Sequence, residues 1–247
     1  MKIPVFQLIN LGIILVVLVF LVRYAWDLFF GTGYSPVEWE NARKSGRISR
    51  KLLHLEKNYP DKVRFFNWWF QVERLRRDSV PGGFAEVGVY KGESACVLHH
   101  MDPGRKFHLF DTFTGFPPRD LAHETGEAAT YKPDRFSDTH VADVLRKISG
   151  NENILLHPGY FPETAEQVRN EIFSLVNLDA DLYQPTRAAL DFFYSRLSPG
   201  GIIFIHDYNY KWEGIKMAVD EFVRNIPECL VLVPDVDGSC MIIRNKL

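Results

Sequence analysis

The chain opens on an unbroken apolar run and then settles into short apolar stretches separated by mixed segments. Val5 to Val22 contains no charged residue, and Leu11-Gly-Ile-Ile-Leu-Val-Val-Leu-Val-Phe-Leu-Val22 is continuous apolar sequence. About 20 such residues span a bilayer as a helix, so the run predicts a transmembrane helix. Gly31-Thr-Gly-Tyr-Ser-Pro36 reads as a linker from its turn residues. Residues 37 to 78 alternate basic and apolar positions with helical character, most clearly from Asp61 to Leu75, and Pro81-Gly-Gly83 stops them. Beyond that point strands are predicted at Phe84 to Val87, Phe107 to Phe110, Ile154 to His157, Phe173 to Leu178 and Gly201 to Ile205. Helices are predicted between them: through His100, around His140 to Ser149, at Pro162 to Glu171 and at Thr186 to Leu197. Cys229 to Ile243 reads as two strands about a Val-Asp-Gly turn. The alternation predicts an α/β fold with a mostly parallel sheet, helices on both faces and an antiparallel hairpin at one edge.

Composition changes this picture little. The 247 residues are 46% apolar and 14% aromatic, which is globular, and a net charge of -2 gives no nucleic-acid footprint. Three widely spaced cysteines, Cys96, Cys229 and Cys240, support neither a disulfide framework nor a zinc site and fit a reducing compartment. For the amino terminus a cleaved signal peptide is the rival reading. The segment after the apolar run, Arg23-Tyr-Ala-Trp-Asp-Leu-Phe-Phe30, has no small-x-small cleavage site and carries aromatics suited to a membrane interface, so an uncleaved anchor is expected. Lys2 precedes the span, whereas Arg23 and then Arg43, Lys44, Arg47, Arg50 and Lys51 follow it. That bias places the carboxyl-terminal part in the cytoplasm. The expected division is an anchor over 1–30, a linker with helices over 31–80, and a catalytic domain over 81–247.

The chemistry is concentrated where strands end. Glu86-x-Gly88-x-x-x-Gly92 closes the first core strand and opens a helix. Glycines at such a turn let the backbone bend and let a ligand approach it, and the first helix amides face that ligand. The spacing is not G-x-G-x-x-G, which argues against a nicotinamide-dependent dehydrogenase. An acid at Glu86 would repel phosphate but suits a ligand with a cationic centre and an amino group, as in S-adenosylmethionine. Asp111 ends the second strand, where a carboxylate can accept from both ribose hydroxyls; a turn aspartate in Asp111-Thr-Phe-Thr-Gly is the plain alternative. Asp179 and Asp181, then His206 and Asp207, follow later strands. Carboxylates converging on one mouth need a cation, and oxygen ligands with an imidazole suit magnesium or manganese. Capping of the next helix is the competing role for Asp179 or Asp181. The long loop from Phe113 to Thr139, with His123, Glu124, Glu127 and Tyr131, is expected to be a lid or a recognition element.

These segments resemble the macrocin O-methyltransferase-like family (TylF and MycF type) of class I S-adenosylmethionine-dependent enzymes. The matching stretches are Phe84 to Gly92, Phe110 to Pro117, Gly159 to Thr164, Leu178 to Tyr183, Gly200 to Tyr208 and Glu213 to Phe222, covering roughly residues 81 to 244. The resemblance implies a Rossmann-like sheet of seven strands and metal-dependent methylation of a sugar hydroxyl. It implies that Glu86, Gly88 and Gly92, with Tyr90 between them, line the methionine end of the cofactor, that Asp111 holds the ribose, and that Gly159 and Tyr160 lie near adenine. It makes Asp181 and Asp207 ligands of a magnesium ion with Asp179 beside them. Where the family often has two acids before a tyrosine, this chain has His206-Asp207-Tyr208, which leaves His206 open as a metal ligand, a base or a tolerated substitute. His206 and Asp181 are the candidate catalytic bases. The expected acceptor is a small molecule or glycan, with the membrane contacted through residues 5–22, no nucleic acid, and homo-oligomerisation left open. A membrane-tethered binding module with a degenerate methyltransferase fold is the competing class.

Overall fold

The computed structural model describes residues 4–30, 35–122, 124–209 and 211–246; Lys2, the linker residues Gly31 to Tyr34 and His123, named above, lie outside them. The chain divides into two units, Met1–Asn58 and Tyr59–Leu247. In the first, α1 (Val5–Phe30) is a 26-residue helix. The stretch Val5–Trp26 is apolar enough to cross a membrane, and none of it is buried within the protein. α2 (Val37–Lys44) carries Glu38 and Glu40 in its first turn and Arg43 and Lys44 in its last, the arrangement the helix dipole favours. α3 (Arg50–Asn58) follows, its first turn held by Ser49, whose hydroxyl accepts from the Leu52 amide at 3.1 Å.

The second unit opens with α4 (Lys62–Arg77), capped by Asp61, whose carboxylate accepts from the Arg64 amide at 3.0 Å. The sheet and its helices then alternate: β1 (Gly83–Val87), α5 (Glu93–Met101), β2 (Phe107–Asp111), α6 (Pro118–Leu121), α7 (Val141–Ile148), β3 (Ile154–Pro158), β4 (Phe173–Leu178), α8 (Tyr183–Tyr194), β5 (Leu197–Ile205), α9 (Glu213–Val223), β6 (Leu230–Leu232) and β7 (Cys240–Ile243). The spatial order is β3-β2-β1-β4-β5-β7-β6. β1 to β5 run parallel, and β7 pairs antiparallel with both β5 and β6. β4 is buried at all six positions, as a central strand covered on both faces must be.

Two expectations shift. The segment predicted as a helix at Pro162 to Glu171 is a 3-10 turn over Glu163–Val168, too short to repay helix nucleation before the chain enters β4. Leu197 to Gly200 extends β5 ahead of Gly201. Within the second unit α4 buries Phe65, Phe66, Trp68, Trp69, Val72 and Leu75. Its Trp68 ring lies 5.9 Å from Phe204 on β5, so α4 is part of the sheet's cover.

Order reverses between β1 and β4, where parallel sheets bind ligands beyond the strand carboxyl ends. Register fixes what meets there. His157, Phe110, Val87, Leu178 and Ile205 lie side by side across the five parallel strands. The next residue on each strand is therefore Pro158, Asp111, Gly88, Asp179 and His206, and this row forms the edge of the crevice. Backbone bonds continue past the strand ends, from the Gly88 N–H to Phe110 O, Asp179 N–H to Val87 O and His206 N–H to Leu178 O, so the edge is held by ladder hydrogen bonds.

Candidate active site

A cavity of about 390 Å³ opens on that edge, in the range of small-molecule sites. Of the residues the sequence singles out, Gly88, Tyr90, Asp111, Gly159, Tyr160, Asp179, Asp181 and His206 line it, whereas Glu86, Gly92 and Asp207 stand behind its wall.

On the β1–β2 side the site is built around glycine and one carboxylate. Gly88 has φ +85°, and a Cβ there would sit 1.9 Å from the Asp179 carbonyl oxygen, so only glycine lets the tips of β1 and β4 meet. Asp111 Oδ2 accepts from the Val89 and Tyr90 amides at 2.7 and 2.8 Å, and Oδ1 from the Phe113 amide at 2.7 Å. Three bonds leave a carboxylate capacity for a further donor such as a ribose hydroxyl. Tyr90 adopts φ +45°, its ring 4.9 Å from Phe136 and its hydroxyl donating to Asp138 at 2.8 Å.

Glu86 is fully buried. Its Oε1 accepts from the Ser94 hydroxyl at 2.5 Å and the Asn177 side-chain amide at 2.9 Å, while Oε2 has no partner. Burial pushes its carboxyl pKa up to about 8, with the Ser94 and Asn177 bonds opposing. The orphaned oxygen fits an added donor such as an ammonium group, and Ser94, bonded to the other oxygen, lines the cavity.

The β4–β5 side is acidic. Asp179, Asp181 and Asp207 can each offer a carboxylate oxygen, all within 4.8 Å of one another. Asp181 and Asp207 hold φ +60° and +57°, left-handed conformations that cost energy outside glycine. Burial raises the Asp181 pKa well above normal, and the charges of Asp179 and Asp207 add to it. Burial also lifts Asp207 to about 8, followed by the charges of Asp179 and Asp237. Three carboxylate oxygens this close, with Asp181 and Asp207 resisting ionisation, fit a hard divalent cation.

His206 lies inside the wall, 3% exposed, its ring 5.7 Å from both Trp68 and Phe204. Its Nε2 is 3.2 Å from Asn177 Oδ1 and its Nδ1 is 3.6 Å from Asp179 Oδ2. Because the Asn177 amide nitrogen donates to Glu86, Asn177 Oδ1 is the acceptor, so Nε2 carries the proton and Nδ1 turns its lone pair toward Asp179. Burial lowers the His206 pKa. A chain of polar contacts thus runs from Glu86 through Asn177 and His206 to Asp179. Asn177 and Ser94 gave no motif signal, since each is a single polar residue in an apolar or helix-start context.

The loop between Phe113 and Thr139 folds on itself. Phe116 stacks on Tyr131 at 5.8 Å, Arg135 lies 3.9 Å over Tyr131, and the Trp212 indole N–H donates to the Tyr131 hydroxyl at 2.9 Å. Phe116, Pro117, Asp120 and Phe136 bring it to the cavity wall.

The sequence profile described as Macrocin-O-methyltransferase (TylF) matches residues 61–245. An 8-demethyl-8-(2,3-dimethoxy-alpha-L-rhamnosyl)-tetracenomycin-C 4'-O-methyltransferase of Streptomyces olivaceus is 31% identical over 163 residues, 59% of this chain and 60% of that protein. A Mycinamicin III 3''-O-methyltransferase of Micromonospora griseorubida is 31% identical over 189 residues, 68% of this chain and 70% of that protein. The chain thus matches under two thirds of the length of the first of these relatives. Among solved structures, the O-methyltransferase NovP shares the fold with a TM-score of 0.65 at 24% identity, covering 74% of this chain and 80% of that one. With its profile match starting at α4 and running through β7, the chain belongs to the macrocin-O-methyltransferase (TylF) family.

Proposed function

We propose that the protein transfers a methyl group from S-adenosylmethionine to a hydroxyl, with a divalent cation such as magnesium assisting. The observation that carries this reading is the pairing, on one sheet edge, of a nucleoside-type half around Asp111 with a three-carboxylate half around Asp181. Glu86 and Ser94 receive the amino end of the cofactor, Gly88 and Gly92 give it room, Tyr90 walls it, Asp111 takes its ribose, and Gly159 and Tyr160 border its base. Asp179, Asp181 and Asp207 hold the cation, which supplies the acidity that an alcohol lacks at neutral pH. Asp181, on the cavity wall, is placed to accept the acceptor's proton. His206, held by Asn177 through Nε2 and with Nδ1 beside Asp179, is the alternative base. The acceptor is a sugar hydroxyl of a glycan, glycolipid or glycosylated metabolite; the rhamnosyl group named for the Streptomyces relative supports a sugar.

The unburied apolar α1 supports a single-pass anchor with the catalytic unit on the cytoplasmic side, which favours an acceptor assembled at a membrane. Incubating membranes that carry the protein with methyl-labelled cofactor, with and without EDTA, tests the reading. Label in a saccharide that EDTA abolishes is the expected result. Label that survives complete chelation would remove the cation, and absence of any labelled product together with retained cofactor binding would leave a binding module. Extraction at alkaline pH tests the anchor: the full chain stays with the bilayer, and release into the supernatant would sink that part.

A further inference from the structure

Beyond the acids the reading uses, a further carboxylate reaches the cavity from the opposite side. Asp120, on α6, is 2% exposed and lines the wall with Gly159 and Tyr160. Its Oδ1 accepts from the Tyr160 hydroxyl at 3.0 Å, while its Oδ2 has no hydrogen-bond partner among the described residues. Desolvation raises its pKa, the mark of a carboxylate short of donors, with the Tyr160 bond acting against it. An acceptor buried in this way is costly unless it gains a donor, and Asp120 is one of the residues that line the cavity. Tyr160 is itself fixed by the Arg119 guanidinium, 3.9 Å over its ring and paired with Glu163 at 3.1 Å.

The position along the edge tells what the donor is. Gly159 donates its N–H to the Asp111 carbonyl at 2.9 Å, so the tip of β3 adjoins the proposed ribose site. A nucleoside whose ribose is held at Asp111, with its sulfonium end toward Gly88 and Asp179, must lay its base toward Gly159, Tyr160 and Asp120. The base of this cofactor is adenine, whose edge carries an exocyclic amino group, a donor of the kind the orphaned oxygen lacks.

We propose that Asp120, held by the Tyr160 hydroxyl, accepts a hydrogen bond from the 6-amino group of the cofactor's adenine and makes the site selective for a 6-aminopurine. The inference rests on the cofactor reading above and adds to it the residue that identifies the base. Tyr160 occupies Oδ1, which leaves Oδ2 as the acceptor for the ligand.

Calorimetry on the full chain in detergent, with S-adenosylhomocysteine and its analogue bearing hydrogen in place of the 6-amino group, tests it. The wild-type chain binds the adenosyl compound about ten- to a hundredfold more tightly, the worth of one bond to a charged acceptor. In Asp120→Asn the remaining oxygen keeps the Tyr160 hydroxyl and an N–H faces the amino group. The preference then shrinks to within about threefold, through loss of the adenosyl compound alone, as a cycle between residue and ligand group requires. Equal affinity of both compounds for the wild-type chain overturns the proposal without any variant. Equal loss of both in an Asp120→Asn protein with an unchanged circular dichroism spectrum also overturns it, leaving Asp120 as a support for Tyr160. If wild type binds neither compound, the cofactor reading falls together with this inference.

Discussion

The two halves of the crevice edge are built on opposite principles. At the tips of β1 and β2 the protein satisfies the carboxylate that lines the cavity: Asp111 is held by three backbone amides, and glycine occupies positive-φ positions at Gly88 and Gly92, while Tyr90 takes another and Glu86, behind the wall, keeps one oxygen without a partner among the described residues. Around β4 and β5 it does not. Asp181 and Asp207 take left-handed backbone conformations, three carboxylates crowd together, and burial with mutual repulsion lifts the pKa values of two of them. A preorganised half binds with little rearrangement, whereas a frustrated half stores the demand for a partner. On the function proposed above, the difference divides the reaction: recognition of the nucleoside on the settled side, activation of the acceptor on the strained one.

The sharpest way to break this comparison is Asp207→Asn. Methyl transfer should fall by at least about a hundredfold as the cation loses a ligand, with affinity for S-adenosylhomocysteine unchanged. Without added metal the variant should melt above the wild type, because a buried like charge is gone. A melting point no higher than the wild type's would refute the strain assigned to this half. Asp111→Ala comes next. It removes the ribose acceptor and also the anchor of the Val89 to Tyr90 turn, so cofactor affinity should drop by about ten- to a hundredfold in calorimetry. Unchanged affinity would reduce Asp111 to a turn residue.

A third test lies beneath the settled half. His108 Nδ1 and His157 Nε2 are 3.0 Å apart in the β2–β3 core, and His157 Nδ1 faces Gln167 Oε1 at 2.8 Å. Burial, then the neighbouring His157, depresses the His108 pKa to about 4, with Glu171 opposing. The folded value lies below the ordinary histidine value of about 6.5, so the unfolded chain takes up the proton first as pH falls. The contribution is intact above about pH 6.5 and is lost progressively toward pH 4, to the extent of about 3 kcal/mol less the part that solvent screens. Urea unfolding at several pH values should show this slope, and His108→Asn should flatten it; equal slopes in both proteins would locate the titration elsewhere. The smallest expected effect is on cofactor binding by the fragment beginning at Ser35, since every cavity residue lies at or after Tyr59. Its affinity should equal that of the full chain, and a folded fragment that fails to bind would move part of the site into the amino-terminal unit.

Much of the framework could be read from the chain because it depends on local pattern. The apolar runs that become β1 to β5, the Val-Asp-Gly turn between β6 and β7, and the Gly88 and Gly92 turn each follow from a few consecutive residues. The short turn at Glu163–Val168 and the place of α4 in the sheet's cover were not legible. The first depended on how little chain remains before β4, the second on burial of Trp68 and its neighbours against elements far along the sequence.

The sequence by itself determined which side chains stand at strand ends, since the end of an apolar run and the residue after it are adjacent in the chain. Only the tertiary structure decided which of those ends touch. Parallel register brings Asp111, Gly88, Asp179 and His206 into one row, and Asn177 bridges Glu86 to His206 across three strands. The same holds for Asp120, an unmarked residue of a loop until folding buries it against Tyr160. The physical reason is that burial and hydrogen-bond partners belong to pairs of segments, and no single segment carries them.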